Sequence, residues 1–109
     1  MGRKSRQKGK RVELQIAKML GTGRNPADGH SHTDIHAGRY AVEVKARKAL
    51  PQWMWSAMQQ AVDDLKDGRE VPVVVMVQSD IGQVPQRYAL LKFEDFLALK
   101  GADDERRKD

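Results

Sequence analysis

The sequence predicts an α/β or α+β protein in which a central mixed β-sheet is flanked by helices. Apolar residues recur at helical spacing in three segments, and short segments rich in β-branched residues lie between them. Glycine and proline residues separate these elements, and the predicted order is α-β-β-β-α-β-β-α. With 109 residues, of which 39% are apolar, the chain is predicted to form a single domain.

The first helix is predicted over residues 10–20. Its apolar stripe consists of Val12, Ile16, Met19 and Leu20, and a glycine at position 21 follows as a C-terminal stop. Glu13 lies at the margin of this stripe. We therefore expect its carboxylate to lean toward the core and away from bulk water.

A β-hairpin is predicted next, with strands over residues 33–37 and 40–46. Gly38 and Arg39 form a two-residue loop, and a glycine at the first central position favours a type II′ turn. A further short strand is predicted near residues 22–24, before the hairpin.

The hairpin register brings three ionisable residues to one face. Asp34 is predicted to lie directly across from Glu43, and cross-strand partners are about 5 Å apart. Lys45 shares this face by the two-residue alternation of a strand. The sequence therefore predicts a small patch with two carboxylates and one ammonium group.

The second half of the chain is predicted to contain two helices and two strands. A helix over residues 51–67 begins with proline at its first helical position and ends before glycine. The apolar segment 71–77 lacks alternation, which is typical of a strand covered on both faces. A strand over 87–91 and a helix over 93–100 follow, and Gly101 is the predicted C-terminal stop of this helix. Residues 101–109 are predicted to be a polar tail.

The formal net charge is +5, and basic residues are concentrated at the start of the chain. Residues 1–8 are predicted to be a mobile basic arm. The cluster suits a phosphate backbone, although a solvated tail is the simpler interpretation of a basic run. The residues of this cluster are Arg3, Lys4, Arg6, Lys8, Lys10 and Arg11. Arg24, Arg39, Arg47 and Lys48 flank the predicted hairpin patch and are either phosphate contacts or solvated surface residues.

Several classes of site are excluded by composition. The chain has no cysteine, so disulfides, thiolate metal sites and cysteine nucleophiles are absent. A zinc site at His30, His32 and His36 is disfavoured because no further ligand has defined spacing, and His30 or His32 is expected to touch phosphate or to be exposed. No apolar run approaches the roughly 20 residues of a membrane span, so an intracellular, cytoplasmic location is expected.

The paired carboxylates predict a metal site. Asp34 and Glu43 disfavour each other's ionised forms unless a cation lies between them, and Mg²⁺ prefers oxygen ligands. The backbone carbonyl of Val44 is a candidate third ligand, and Glu13 could bind the metal directly or through water. Lys45 could orient an attacking water and balance charge on a phosphate. These residues predict phosphodiester hydrolysis by in-line attack of an activated water.

Three sequence motifs resemble those of PD-(D/E)XK nucleases. They are Lys-Gly-Lys-Arg-Val-Glu at 8–13, Ser-His-Thr-Asp at 31–34 and Val-Glu-Val-Lys at 42–45. Their order and spacing are similar to those of archaeal-type Holliday junction resolvases and related phage-encoded proteins, over roughly residues 6–97. One departure is Thr33, which stands where the motif commonly has proline.

The resemblance implies a restriction-endonuclease-like fold and one or two Mg²⁺ or Mn²⁺ ions per site. It implies a catalytic set of Glu13, Asp34, Glu43 and Lys45, with Ser31 near the scissile phosphate. It further implies a homodimer that cuts four-way DNA junctions in recombination and repair, in the host cytoplasm if the chain is phage-encoded. Many nucleases of this superfamily carry a polar helix residue that supports the site, and Gln59 is the candidate here.

Two other functions are compatible with these residues. One is a nicking or restriction-type nuclease on duplex DNA, and the other is a non-catalytic basic DNA-binding protein. Trp53 and Trp55, at the start of the second predicted helix, could stack on unpaired bases, pack a dimer interface or belong to the core.

Overall fold

The structure is a computed structural model that describes residues 2–22 and 34–108, with side chains from residue 9 onward. The chain forms two compact units, Met1–Lys48 and Ala49–Asp109, which are described in turn as the N-terminal and C-terminal units. The single domain stays a prediction. The predicted mixture of helices and strands is confirmed. Among the described residues, however, the strands form two separate antiparallel sheets of two strands each, and the predicted single mixed sheet is not seen.

The N-terminal unit consists of helix α1 (Gly2–Met19) and strands β1 (Ile35–Ala37) and β2 (Tyr40–Val42). Helix α1 packs against β1. The contact is apolar: the buried residues are Ala17, Leu20, Ile35 and Ala37, with Ile35 fully inaccessible to solvent. This small core ties the hairpin to the helix that carries Glu13.

Helix α1 begins eight residues earlier than the apolar pattern predicted, at Gly2 and not at residue 10. Residues 2–8, predicted as an arm without periodicity, are therefore helical in their backbone. Arginine, lysine and glutamine are good helix formers, so the helix continues where its apolar stripe has ended. Within the stripe, Met19 is 45% exposed although its spacing predicted a core position.

The hairpin has the predicted register and turn. Ile35 pairs with Val42 and Ala37 with Tyr40. Gly38 has φ of +60°, and no described residue other than glycine has positive φ, a combination that defines a type II′ turn. The second strand is shorter than predicted and ends at Val42, because the Val44 N–H donates to the Asp34 side chain and not to a strand carbonyl. Of the short strand predicted near 22–24, residues 23 and 24 lie outside the described residues.

The C-terminal unit contains helix α2 (Gln52–Asp63), strands β3 (Val73–Gln78) and β4 (Gln86–Leu91), and helix α3 (Phe93–Arg106). The two strands form an antiparallel hairpin in which Val75 pairs with Ala89. The apolar residues of α2 recur at helical spacing, which predicts that this helix packs on the sheet, and α2 does pack on β3. No described helix combines the length and the hydropathy that a bilayer crossing requires.

Strand β3 was wrongly predicted to be covered on both faces. Val73, Val75 and Val77 are 45%, 62% and 57% exposed, whereas Val74 and Met76 between them are half-buried. A run of valines lacks alternation whether one face is covered or both, so periodicity alone could not distinguish the two cases.

Both helices of this unit differ from the prediction at their ends. Helix α2 has Pro51 as its N-cap residue and ends at Asp63. It does not continue to residue 67 because the Glu70 carboxylate accepts hydrogen bonds from the N–H groups of Lys66 and Asp67, and these bonds fold that segment into a turn. Helix α3 continues through Gly101, the predicted stop. Ion pairs one turn apart support its extension: Lys100–Asp104 at 2.7 Å and Arg107–Asp103 at 3.3 Å.

Candidate active site

Asp34 is fixed at the entry to the hairpin of the N-terminal unit. It immediately precedes β1 and is half-buried. Its Oδ2 accepts a hydrogen bond of 2.8 Å from the backbone N–H of Val44, across the hairpin. Because the Val44 N–H is part of the backbone, its position is fixed, and the hydrogen bond orients the Asp34 carboxylate toward the segment that follows β2.

Glu43 lies opposite Asp34, at the next position of the register that pairs Ile35 with Val42. Its side chain is 44% exposed. The pKa of the Glu43 carboxyl is raised above its ordinary value, first by a hydrogen bond with Asp34, then by desolvation and by the charge of Asp34. The predicted convergence of the two carboxyl groups is therefore present in the structure.

Lys45 completes the patch on the solvent side. Its Nζ lies 3.9 Å from Oε1 of Glu43, and its side chain is 69% exposed. The charge of Lys45 lowers the pKa of Glu43 and partly opposes the effect of Asp34. An exposed ion pair of this length is weak, so the ammonium group can move to another anion at little cost.

Glu13, on helix α1, lies within electrostatic range of the patch. Its side chain is half-buried, as its place beside the apolar stripe predicted. Its negative charge also raises the pKa of Glu43, which places it within electrostatic range of that carboxyl. Within residues 2–22 and 34–108, no three Asp, Glu, His or Cys side chains are close enough together to hold a metal ion as a group. The immediate oxygen donors are therefore the side chains of Asp34 and Glu43.

Val44 has a role that the sequence did not suggest. Its backbone carbonyl stays a predicted metal ligand, and the structure adds that its N–H donates the hydrogen bond that orients Asp34. The only sequence signal for such a hydrogen bond is an aspartate just before one strand of a hairpin, opposite the residues that follow the other strand. This signal is weak.

The other predicted site residues divide into three groups. Lys10, Arg11, Arg39, Arg47 and Lys48 have exposed side chains, and the Arg47 guanidinium donates to the Ala46 carbonyl at 2.9 Å. Gln59, in the C-terminal unit, donates to Asp63 one turn further along α2 at 2.9 Å. The side chains of Arg3, Lys4, Arg6 and Lys8, and all of Arg24, His30, Ser31 and His32, lie outside the described residues; His36 is exposed on β1.

Charge is distributed unequally between the two units. The N-terminal unit has 12 lysine and arginine residues against 4 aspartate and glutamate residues. The C-terminal unit has 8 basic against 11 acidic residues. The carboxyl pair thus belongs to the unit that attracts polyanions.

Comparison with models of known protein families, with curated proteins and with solved structures gave no significant match.

Proposed function

We propose that the protein is a divalent-metal-dependent DNA endonuclease with a PD-(D/E)XK-type site on a restriction-endonuclease-like fold, selective for branched DNA such as a four-way junction. The observation that supports this most is the placement of Asp34 opposite Glu43 across the hairpin, near enough for Asp34 to raise the pKa of the Glu43 carboxyl, with the Lys45 ammonium 3.9 Å from Glu43. An acidic pair embedded in a strongly basic unit has no use in binding DNA alone, because it repels phosphate.

The donor set fits a hard divalent cation. Asp34 and Glu43 would hold Mg²⁺ or Mn²⁺, since Mg²⁺ commonly uses one or two carboxylates and leaves its other positions to water and phosphate oxygens. A bound cation would supply Lewis acidity and neutralise negative charge at the phosphodiester. The raised pKa of Glu43 is consistent with this role, because two like-charged oxygen groups in contact favour a positive charge between them.

The remaining chemistry rests on the protein's own side chains. The Val44 N–H keeps Asp34 in one orientation, so the pair is arranged before substrate arrives. Lys45, being exposed and weakly paired, can turn to a phosphate oxygen and balance the charge that develops there. Glu13 adds a negative charge within electrostatic range of the pair, and the exposed basic side chains of the same unit hold the flanking phosphates.

The test is a cleavage assay with a matched pair of variants. We expect Asp34→Asn to reduce the cleavage rate at least about 100-fold, the order expected when one group that stabilises transition-state charge is removed. Asparagine can still accept the Val44 N–H, so the hairpin should persist. Asp80→Asn is the control, because the exposed Asp80 closes its turn through its backbone carbonyl, which accepts from Gln83 at 3.2 Å.

Substrates and metal are varied in the same assay: a labelled four-way junction, a linear duplex and a single strand, each with Mg²⁺, Mn²⁺ or EDTA. Paired symmetric nicks in the junction alone support the proposal. Equal cutting of linear duplex would instead assign a nicking or restriction-type nuclease with the same residues. Undiminished cutting by Asp34→Asn, or metal-independent cutting, rejects the site; binding without cutting of any substrate leaves a non-catalytic DNA-binding protein.

A further inference from the structure

His36 lies on the same face of the N-terminal hairpin as Asp34. Successive side chains of a strand point to opposite faces, so residues two positions apart share one face. Ile35 and Ala37 of β1 are buried in the apolar core, whereas His36 between them is exposed. The face that carries Asp34 and His36 is therefore the one turned away from this core.

The strand register identifies the neighbour of His36 across the hairpin. His36 pairs with Ala41, whose side chain is a single methyl group and is also exposed. Cross-strand partners are about 5 Å apart, so a larger residue at this position would lie over the imidazole ring. With alanine there, a ligand that approaches this face of the hairpin can reach the ring.

The ionisable groups on this face follow one another along the hairpin. His36 lies one pair nearer the turn than Asp34 and Glu43, and Lys45 follows Glu43 on the opposite side. Two residues of a strand span about 6.8 Å, and the imidazole is separated from the carboxyl pair by one such step. In the described part of the chain, no group of three Asp, Glu, His or Cys side chains could hold a metal ion. His36 is therefore a neighbour of the candidate metal site and not one of its ligands.

The turn end of the hairpin carries positive and not negative charge. Residues 35–42 contain no aspartate or glutamate, and the exposed Arg39 lies in the turn itself. The whole N-terminal unit has 12 lysine and arginine residues against 4 aspartate and glutamate residues. A phosphate is repelled by the carboxyl pair unless a cation is bound there. One step toward the turn, it meets a hydrogen-bond donor and a positive charge.

We propose that the His36 imidazole donates a hydrogen bond to the DNA phosphate next to the scissile phosphate. The inference rests on the proposed function, because it adds a substrate contact beside the same carboxyl pair. Successive phosphates of one DNA strand are separated by a distance similar to two residues of a β-strand. A DNA strand with its scissile phosphate at Asp34 and Glu43 therefore brings a neighbouring phosphate to His36. Imidazole has an N–H donor in its neutral and its protonated form, so either form makes this contact.

A contact of this kind holds the DNA in register and takes no part in the bond that breaks. Phosphate contacts fix the position of a protein on DNA, and an interaction present both before and during the reaction affects KM and not kcat. We therefore expect His36→Ala to raise KM about 10-fold, the order for one hydrogen bond to a charged group, and to leave kcat nearly unchanged. His36→Gln retains an N–H donor and should recover most of the loss.

The matched control is Gln78→Ala, which removes a side-chain N–H donor from a strand of the other hairpin. Gln78 is exposed at the end of β3 in the C-terminal unit, and its variant should have the KM of the wild type. Thermal melts of both alanine variants should coincide with that of the wild type, because exposed positions contribute little to stability. A higher KM of His36→Ala then reflects a lost contact and not unfolding.

The decisive measurement combines protein variants with modified DNA. Single phosphates at and around the cleavage position are replaced in turn by neutral methylphosphonates, and binding is measured in EDTA to prevent cleavage. We expect His36→Ala to weaken binding of unmodified DNA about 10-fold and to have no further effect once its partner phosphate is neutral, because both changes remove the same contact. Lys45→Gln is measured on the same DNA series. It should couple to the scissile phosphate, and His36→Ala to the phosphate next to it.

Coupling of His36 to one phosphate, adjacent to the phosphate that couples to Lys45, supports the inference. Equal weakening of every modified DNA by His36→Ala overturns it, and so does coupling of both residues to the same phosphate. Binding by His36→Gln as weak as that by His36→Ala also overturns it, because the N–H donor would then have no role. DNA that is bound but never cleaved rejects the proposed function alone, since the coupling in EDTA still tests His36. Absence of DNA binding rejects both.

Discussion

Two carboxyl groups face each other on a part of the hairpin surface that water can reach. Asp34 and Glu43 are both at least partly exposed, and water would solvate each of them separately if the hairpin did not hold them together. The hairpin does so because Ile35, next to Asp34, is fully buried against α1, and because the Val44 N–H holds Asp34 in turn. The position of the Asp34 and Glu43 carboxyl groups therefore depends on the burial of Ile35 as well as on the two acidic residues.

The raised pKa of Glu43 predicts a pH-dependent effect of Glu43→Gln on stability. A carboxyl whose folded pKa lies above its ordinary value of 4.5 favours the fold while protonated, and that contribution is lost as pH rises through the folded pKa. Without metal at pH 7, Glu43→Gln should therefore melt at a higher temperature than the wild type. The difference should shrink as pH falls toward 4.5. Thermal melts between these pH values in EDTA measure it.

The control for this prediction is Glu105→Gln, since Glu105 is an exposed acid paired only one turn away with Lys108 at 3.4 Å. Its effect on melting should be small at every pH. Addition of Mg²⁺ should raise the melting temperature of the wild type more than that of Glu43→Gln, because a ligand stabilises the state it binds. A melting temperature of Glu43→Gln at or below that of the wild type at pH 7 would contradict the assigned coupling.

Among the elements, two glycines that the sequence treats alike have opposite roles. Both Gly38 and Gly101 were predicted to interrupt regular structure. Gly38 does so, with φ of +60° in the hairpin turn, whereas Gly101 lies inside α3 with ordinary helical geometry. A Cβ added at either position would meet no other atom within 4 Å, so backbone conformation alone decides the effect of a substitution.

Alanine substitutions at the two glycines are therefore expected to have opposite effects. Gly38→Ala should destabilise the protein by about 1–2 kcal/mol, the penalty of a left-handed conformation for a residue with a Cβ. Gly101→Ala should stabilise it by about 0.5–1 kcal/mol, because alanine favours the helix interior. Urea denaturation of the two variants measures both values, and each serves as the control for the other. A destabilising Gly101→Ala would mean that α3 ends near residue 100, as its sequence pattern predicted.

Strand β3 illustrates how an element can be identified correctly while its environment is not. Its valines predicted a strand, and the structure confirms one at Val73–Gln78. The same valines predicted burial on both faces, yet Val75 is 62% exposed. Strand propensity depends on the residue itself, whereas burial depends on what packs above it, and that information lies in other parts of the chain.

Across the whole molecule, the charge of the chain is concentrated in the unit that holds the candidate site. The net charge of +5 results from an excess of basic residues in Met1–Lys48 and an excess of acidic residues in Ala49–Asp109. A polyanion should therefore be attracted by one unit only. Because α1 begins at Gly2, the first basic residues belong to a helix and are spaced along its length.

This distribution predicts which basic residues control the salt dependence of DNA binding. Neutralising four of them in α1 should reduce the slope of log K against log salt by about 0.9 for each phosphate that is no longer neutralised, up to about 3.6. The variant is Arg3→Gln, Lys4→Gln, Arg6→Gln and Lys8→Gln combined, since glutamine preserves helix propensity. Binding isotherms at several salt concentrations, with EDTA to prevent cleavage, give the slope.

The control removes the same charge from the C-terminal unit, through Lys66→Gln, Arg69→Gln, Arg87→Gln and Arg106→Gln combined. All four residues are exposed, and the slope should stay near that of the wild type. An equal reduction of slope in the two variants would show that net charge alone attracts DNA. An unchanged slope in the α1 variant would place the DNA-binding surface elsewhere.

The features that could be predicted from the amino-acid sequence are those that depend on neighbouring residues. We predicted the type II′ turn at Gly38 and the register that places Asp34 opposite Glu43, because turn geometry and strand alternation follow from local backbone sterics. We also predicted the half-buried position of Glu13, because helical spacing places it beside the apolar stripe of α1. The start of β4 and of α3 were also predicted to within one residue.

The way in which those elements combine could not be predicted from the sequence and is known from the fold. The fold separated the strands into two sheets, left the valines of β3 exposed, and made Val44 the donor that orients Asp34. Each of these depends on which distant segment lies beside a residue, and that choice is set by the packing free energy of the folded chain as a whole. Spacing along the sequence indicates which face of an element is apolar, and it does not identify the distant segment that covers that face.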